Sequence, residues 1–230
     1  MRMSLLCILA VIVAGCASMP ANFAAADFRA EPKIDVHVHI NSADPALIEQ
    51  ARADGFRLLT INVDYPDFPP LAQQRALAQA HAHRNPDLVV FAAAFGIKGW
   101  DEPGWQAQTL KDVDAAFADG AVAIKVWKNI GMEFRDNAGQ LVMIDDPRFD
   151  PVFRRVQERG KVLIGHQGEP HNCWLPLEQM TVSNDREYFQ EHPQYHMFLH
   201  PELPSYEAQM AARNRMLDRN PDLHFMGAHM

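Results

Sequence analysis

The strongest constraint on this chain is an alternation of six short apolar, β-rich runs with longer stretches that carry helical spacing. The runs fall at 34–40, 56–63, 88–95, 121–127, 161–166 and 223–229, and the helical stretches at 45–53, 69–84, 105–118, 149–159 and 205–219. Strands that alternate with helices imply right-handed crossovers and a parallel sheet, so the expected class is α/β. Two helix-to-strand connections repeat one device, Asn85-Pro86-Asp87 and Asn220-Pro221-Asp222, as repeated βα units of one architecture would. With 48% hydrophobic residues the chain can bury a full core, which excludes disorder. A net charge of -8 argues against a protein that tracks phosphate backbones, so nucleic acid is not an expected partner.

The first residues do not belong to that pattern. Arg2, an apolar run from Leu5 to Ala14, and then Gly15 and Cys16 have the proportions of an export signal and are too short to span a bilayer as a helix. Val13-Ala14-Gly15-Cys16 resembles the bacterial lipobox, in which cleavage precedes a cysteine that becomes lipidated. The other reading is an ordinary signal peptide cut near Ala24-Ala25-Ala26. The expected organisation is a signal peptide at 1–15, a lipidated tether at 16–31 beginning at Cys16, and a barrel domain at 32–230. Ala17 after the cleavage point suggests the outer membrane, with the protein facing the periplasm and touching the membrane through its lipid only. Loss of Cys7 and acylation of Cys16 would leave Cys173 alone, so no disulfide framework is expected. Homo-oligomerisation is left open.

The chemistry starts at Ile34-Asp35-Val36-His37-Val38-His39-Ile40. Residues two apart on a strand share a face, so His37 and His39 project together and can grip one metal, while the apolar residues between them face the layer under the helices. His81 and His83 have the same spacing at the end of a helix pattern, where their directions diverge, and are expected at the surface. Lys125 is a cation inside an apolar run, where burial without a partner is costly. His166 and His229 each end a run, with a glycine shortly before. The long segment at 168–205 has the length of a functional lid; Glu169 and His171 are candidate substrate contacts in it and Tyr195, His196 and His200 candidate lining, each weighed against a solvated loop side chain.

This ordered set, His-x-His on the first strand, Lys on the fourth, and His on the fifth and sixth, resembles the amidohydrolase superfamily, in particular its amidohydrolase-related branch. The stretches IDVHVHI, AIKVWKNIGM, LIGHQGEPHNCW and DLHFMGAHM carry the resemblance from about Ile34 onward. It implies a (β/α)8 TIM barrel of metal-dependent hydrolase type, C-terminally incomplete, with about six βα units and without the eighth-strand aspartate that handles the proton in that family. It implies that His37, His39, Lys125 (if carboxylated), His166 and His229 hold a divalent metal, commonly zinc. It also implies catalytic roles for His229, His166 and Lys125. The expected reaction on a small-molecule substrate is water attack on an amide, ester or lactone. The alternatives are a metal-dependent decarboxylase of the same superfamily and an inactive, truncated zinc-binding envelope lipoprotein.

Overall fold

The computed structural model describes residues 25–228, so the export signal, Cys16 and His229 lie outside the described residues. In chain order the elements are α1 (Ala25–Ala30), β1 (Lys33–Val38), α2 (Ala46–Ala53), β2 (Phe56–Ile61), α3 (Leu71–Arg84), β3 (Val89–Ala94), α4 (Trp105–Ala118), β4 (Ala123–Val126), the single turn α5 (Asn129–Met132), α6 (Asp150–Glu158), β5 (Val162–Gly165), α7 (Ser183–Glu191), α8 (Tyr206–Arg219) and β6 (His224–Gly227). All six expected strands are present. They form one sheet in the order β1-β2-β3-β4-β5-β6, with every neighbouring pair parallel. This is the order and polarity of six successive strands of a TIM barrel, an α/β part-barrel as expected.

Strand alternation divides the sheet into two faces. The convex face carries Phe91, Ala93, Phe95, Ile124, Val126 and Leu163, which pack under the helices in the largest core cluster. From α6, Val152, Phe153 and Val156 enter it fully buried, each burial contributing about 1.5–3 kcal/mol. The concave face carries Leu59, Ile61, Val63, Ala92, Ala123 and Ile164. Val38 of β1 and Ile40, two residues past it, join Ile48, Ala51 and Leu58 under α2 as anticipated. Ile34 and Val36, expected in the same layer, are 56% and 43% exposed, because β1 is an edge strand among the described residues and no helix covers its first half.

The two Asn-Pro-Asp connections adopt one structure. Asn85 and Asn220 cap α3 and α8, each amide donating to the carbonyl four residues back, His81 at 3.2 Å and Met216 at 2.8 Å. Each carbonyl then accepts from the leucine three residues on, Leu88 and Leu223. At the start of α8, the Ser205 hydroxyl accepts from Ala208 N–H, a side-chain cap worth about 1 kcal/mol.

Within the span expected as a tether, α1 is closed by Lys33, whose ammonium donates to the carbonyls of Phe28 and Glu31 and lies over the Phe28 ring. Two expectations are corrected. His81 is buried, donating through Nε2 to the Ser42 carbonyl at 2.8 Å, while His83 is exposed as expected. The segment at 168–205 is built around its own small core of Met132, Cys173, Met180, Phe189 and Met197. His196 is buried within it and donates to the Leu175 carbonyl, so it lines no open lid. Cys173 is a free, buried thiol whose pKa burial pushes up to about 12.

Candidate functional site

The concave face collects most of the predicted side chains near the C-terminal ends of β1, β4 and β5. His37 and His39 stand with ring centroids 5.3 Å apart. His39 Nδ1 lies 2.8 Å from the Ile61 carbonyl, an atom that only accepts. The proton therefore sits on Nδ1 and the lone pair on Nε2, the form in which imidazole ligates a metal. The turn beyond β1 is fixed alongside, with Ile40 N–H donating to the Thr60 hydroxyl at 3.0 Å.

Trp127, one residue past β4, links the groups. Its ring meets His166 edge-on at 5.0 Å and His39 at 6.3 Å, and Lys125 Nζ lies over it, 5.5 Å from the centroid. Lys125 is 1% exposed, and its ammonium finds no hydrogen-bond acceptor among the described residues. Burial lowers its pKa from 10.5 to about 8. Phe68 packs against both His39 and Trp127, at 5.1 and 6.0 Å.

The structure thus brings His37, His39, Lys125 and His166 to one face, while His229 lies outside the described residues. Among the described residues, no group of three or more His, Cys, Asp or Glu side chains is close enough together to hold a metal ion. The first-strand pair still fits one, with two adjacent imidazoles, one of them anchored in the ligating tautomer. The sequence expectation adds Lys125, if carboxylated, His166 and His229 to that pair.

Of the lid candidates, Glu169 forms an ion pair with Lys128, just past β4, and His171 packs at a tilt against Tyr206 of α8, 4.6 Å between centroids. These contacts tie the lid segment to the barrel. Behind them, Gln209 of α8 donates to the Gly131 carbonyl at 2.7 Å. Gly131 has φ +94°, and a β-carbon there would lie 2.7 Å from Gln209 Oε1, so any other residue is strained at this position.

Sequence reasoning missed the loop beyond β2. A cleft of about 790 Å3 opens between the segments that follow β2, β3 and β4. Tyr65 and Phe68 separate it from Trp127, and a second, separate pocket of about 10 Å3, which shares Asp64, Ile97 and Asn129 in its lining, borders Lys125. The Asp64 carboxylate accepts from Ile97 N–H at 3.0 Å, and its carbonyl accepts from the Asn129 amide at 3.2 Å, so one residue pins three loops. Its signal was Asp64-Tyr65-Pro66-Asp67-Phe68, polar and aromatic residues directly after a strand end.

No family model and no curated protein matches the sequence. Solved structures do. The crystal structure of 2,6-dihydroxybenzoate decarboxylase from Rhizobium is 13% identical, covering 82% of this chain and 56% of that one at a TM-score of 0.49. The same enzyme complexed with 2,6-dihydroxybenzoate is 15% identical, covering 81% and 55% at a TM-score of 0.48. A probable 2-pyrone-4,6-dicarboxylic acid hydrolase from Acinetobacter baumannii with citric acid bound is 13% identical, covering 85% and 82% at a TM-score of 0.40. The chain spans a little over half the length of the first two. Likenesses this distant do not bear on activity, and the functional reading rests on the side chains themselves.

Proposed function

We propose that this protein is a metal-dependent hydrolase of the amidohydrolase type, acting on an amide, ester or lactone bond of a small molecule. One observation carries the reading: His37, His39, Lys125 and His166 share the concave face near the C-terminal strand ends, where (β/α)8 enzymes keep their reacting groups. A divalent cation held by His37 and His39, with zinc favoured by imidazole donors, would supply Lewis acidity toward water and a carbonyl. The chain's own part is to orient the reacting groups. Ile61 holds the His39 ring in its ligating tautomer, Phe68 and Trp127 pack their rings against His39, and Lys125 offers a buried cation to the substrate. His166 is the proposed fifth-strand ligand, and His229 the proposed sixth-strand ligand or substrate-polarising group.

The test is turnover of ester and lactone panels by the full chain with zinc restored, followed by acid release. Activity that survives chelation or His37→Ala removes the proposal. A decarboxylase is the second reading, favoured by the apolar, aromatic setting of Lys125, since a desolvated carboxylate loses carbon dioxide more readily. Carbon dioxide released from carboxylic acids without hydrolysis of esters selects it, and zinc bound without either reaction selects a non-catalytic zinc-binding protein. We further propose export and lipid attachment at Cys16; absence of labelled fatty acid on the wild-type chain in a bacterial host refutes the attachment.

A further inference from the structure

The cleft beyond β2, β3 and β4 has the size of a small-molecule pocket and is preformed. Its loops are cross-linked: Asp64 bonds to Ile97 and Asn129, and Asp101 accepts from Asn137 N–H at 2.7 Å and pairs with Arg148 at 3.1 Å. Arg148 in turn lies over the Trp100 ring at 4.0 Å, and the Trp105 indole donates to the Gly96 carbonyl at 3.0 Å. A ligand would therefore meet walls already in place, which lowers the ordering cost of binding.

The chemistry of those walls has a direction. Tyr65, Phe68 and Phe134 present half-buried rings to the space, which suits a flat apolar body. The acids Asp64 and Asp101 spend their carboxylates on the loop network, which leaves Glu102, exposed, as the acid with no partner among the described residues. The cations are not spent. Lys98 makes no hydrogen bond or ion pair among the described residues, and Arg135 uses only one guanidinium nitrogen, on the Gly139 carbonyl at 3.1 Å. Two exposed cations and three half-buried rings lining one cleft suit a negative group on a planar ligand.

We propose that this cleft is a binding pocket for a planar organic acid, with the acid group held by Lys98 and Arg135 and the ring against Tyr65, Phe68 and Phe134. The pocket lies across Tyr65 and Phe68 from the histidine cluster and needs no metal, so the inference stands apart from the hydrolase reading and can fail or hold without it.

The experiment is calorimetric titration of the full chain, held metal-free by chelation, with benzoate and, as the opposite charge on the same ring, benzylamine. Benzoate is expected to bind and benzylamine not. Lys98→Ala and Arg135→Ala should each weaken benzoate about two- to five-fold, the range for an exposed charge contact, and added salt should weaken it further. His37→Ala should leave it unchanged. Lys98→Glu, an exposed position with little bearing on folding, should shift preference toward benzylamine. Equal binding of the two ligands, indifference to both cation replacements, or benzoate binding that disappears in His37→Ala would each overturn the proposal.

Discussion

Replacing Lys125 by methionine should make the metal-free protein more stable at neutral pH, although it removes a side chain placed at the heart of the site. Lys125 is 1% exposed without a hydrogen-bond acceptor among the described residues, and burial lowers its pKa from 10.5 to about 8. The unfolded chain keeps this proton up to about pH 10.5, whereas the folded chain releases it near pH 8. Between those values the unfolded state holds more protons, so stability rises with pH; below pH 8 both states are charged and the full penalty applies. At ~1.4 kcal/mol for each pH unit the gap amounts to about 3 kcal/mol. Methionine keeps the length of the side chain without its charge. Loss of the attraction to the Trp127 ring offsets about 1 kcal/mol, so a gain of about 2 kcal/mol at pH 7 is expected. Urea unfolding of both proteins in chelator across pH 7 to 10.5 measures it, with the difference shrinking as pH rises and the denaturant slopes unchanged. A variant less stable than wild type at pH 7, or a difference independent of pH, would refute the reasoning that the ammonium is buried uncompensated.

Other outcomes follow from the same contacts. Gly131→Ala should lower stability by about 1–3 kcal/mol in chemical denaturation, because φ +94° and the nearby Gln209 amide both oppose a β-carbon. His39→Ala should weaken zinc at least about ten-fold in chelator competition, since it removes an oriented donor and its Ile61 anchor together. Glu169→Gln should cost under about 1 kcal/mol globally yet speed proteolytic cutting within 168–205, as the ion pair to Lys128 is one of the ties between that segment and the barrel.

Much of the fold was legible because a parallel sheet buried on both faces writes itself as apolar runs. β3, β4 and β5 bury most of their residues, and each appears in the sequence as an apolar run, broken only at Lys125 of β4. His37 and His39 were legible because a strand places every second side chain on one side. Burial of His81 was not, because it depends on a carbonyl from Ser42, 39 residues away, which no local pattern records. The small core at 168–205 was missed for a related reason: Cys173, Met180, Phe189 and Met197 follow neither helical nor strand spacing, and meet only through a chain of short turns. The cleft was hidden likewise, since Tyr65, Lys98 and Phe134 come from three loops that become neighbours only when three strands align.

The strand order has a consequence for how this molecule is made. Every strand pairs with the one before it in the sequence, so each pairing closes a single crossover, the longest being the one that carries the 168–205 segment between β5 and β6. A chain emerging from the ribosome from its N-terminus can add βα units in the order in which they appear, each docking on an edge already formed. Through most of synthesis the growing edge is apolar and unpaired, so the rate at which the next crossover arrives decides between folding and sticking to a neighbour.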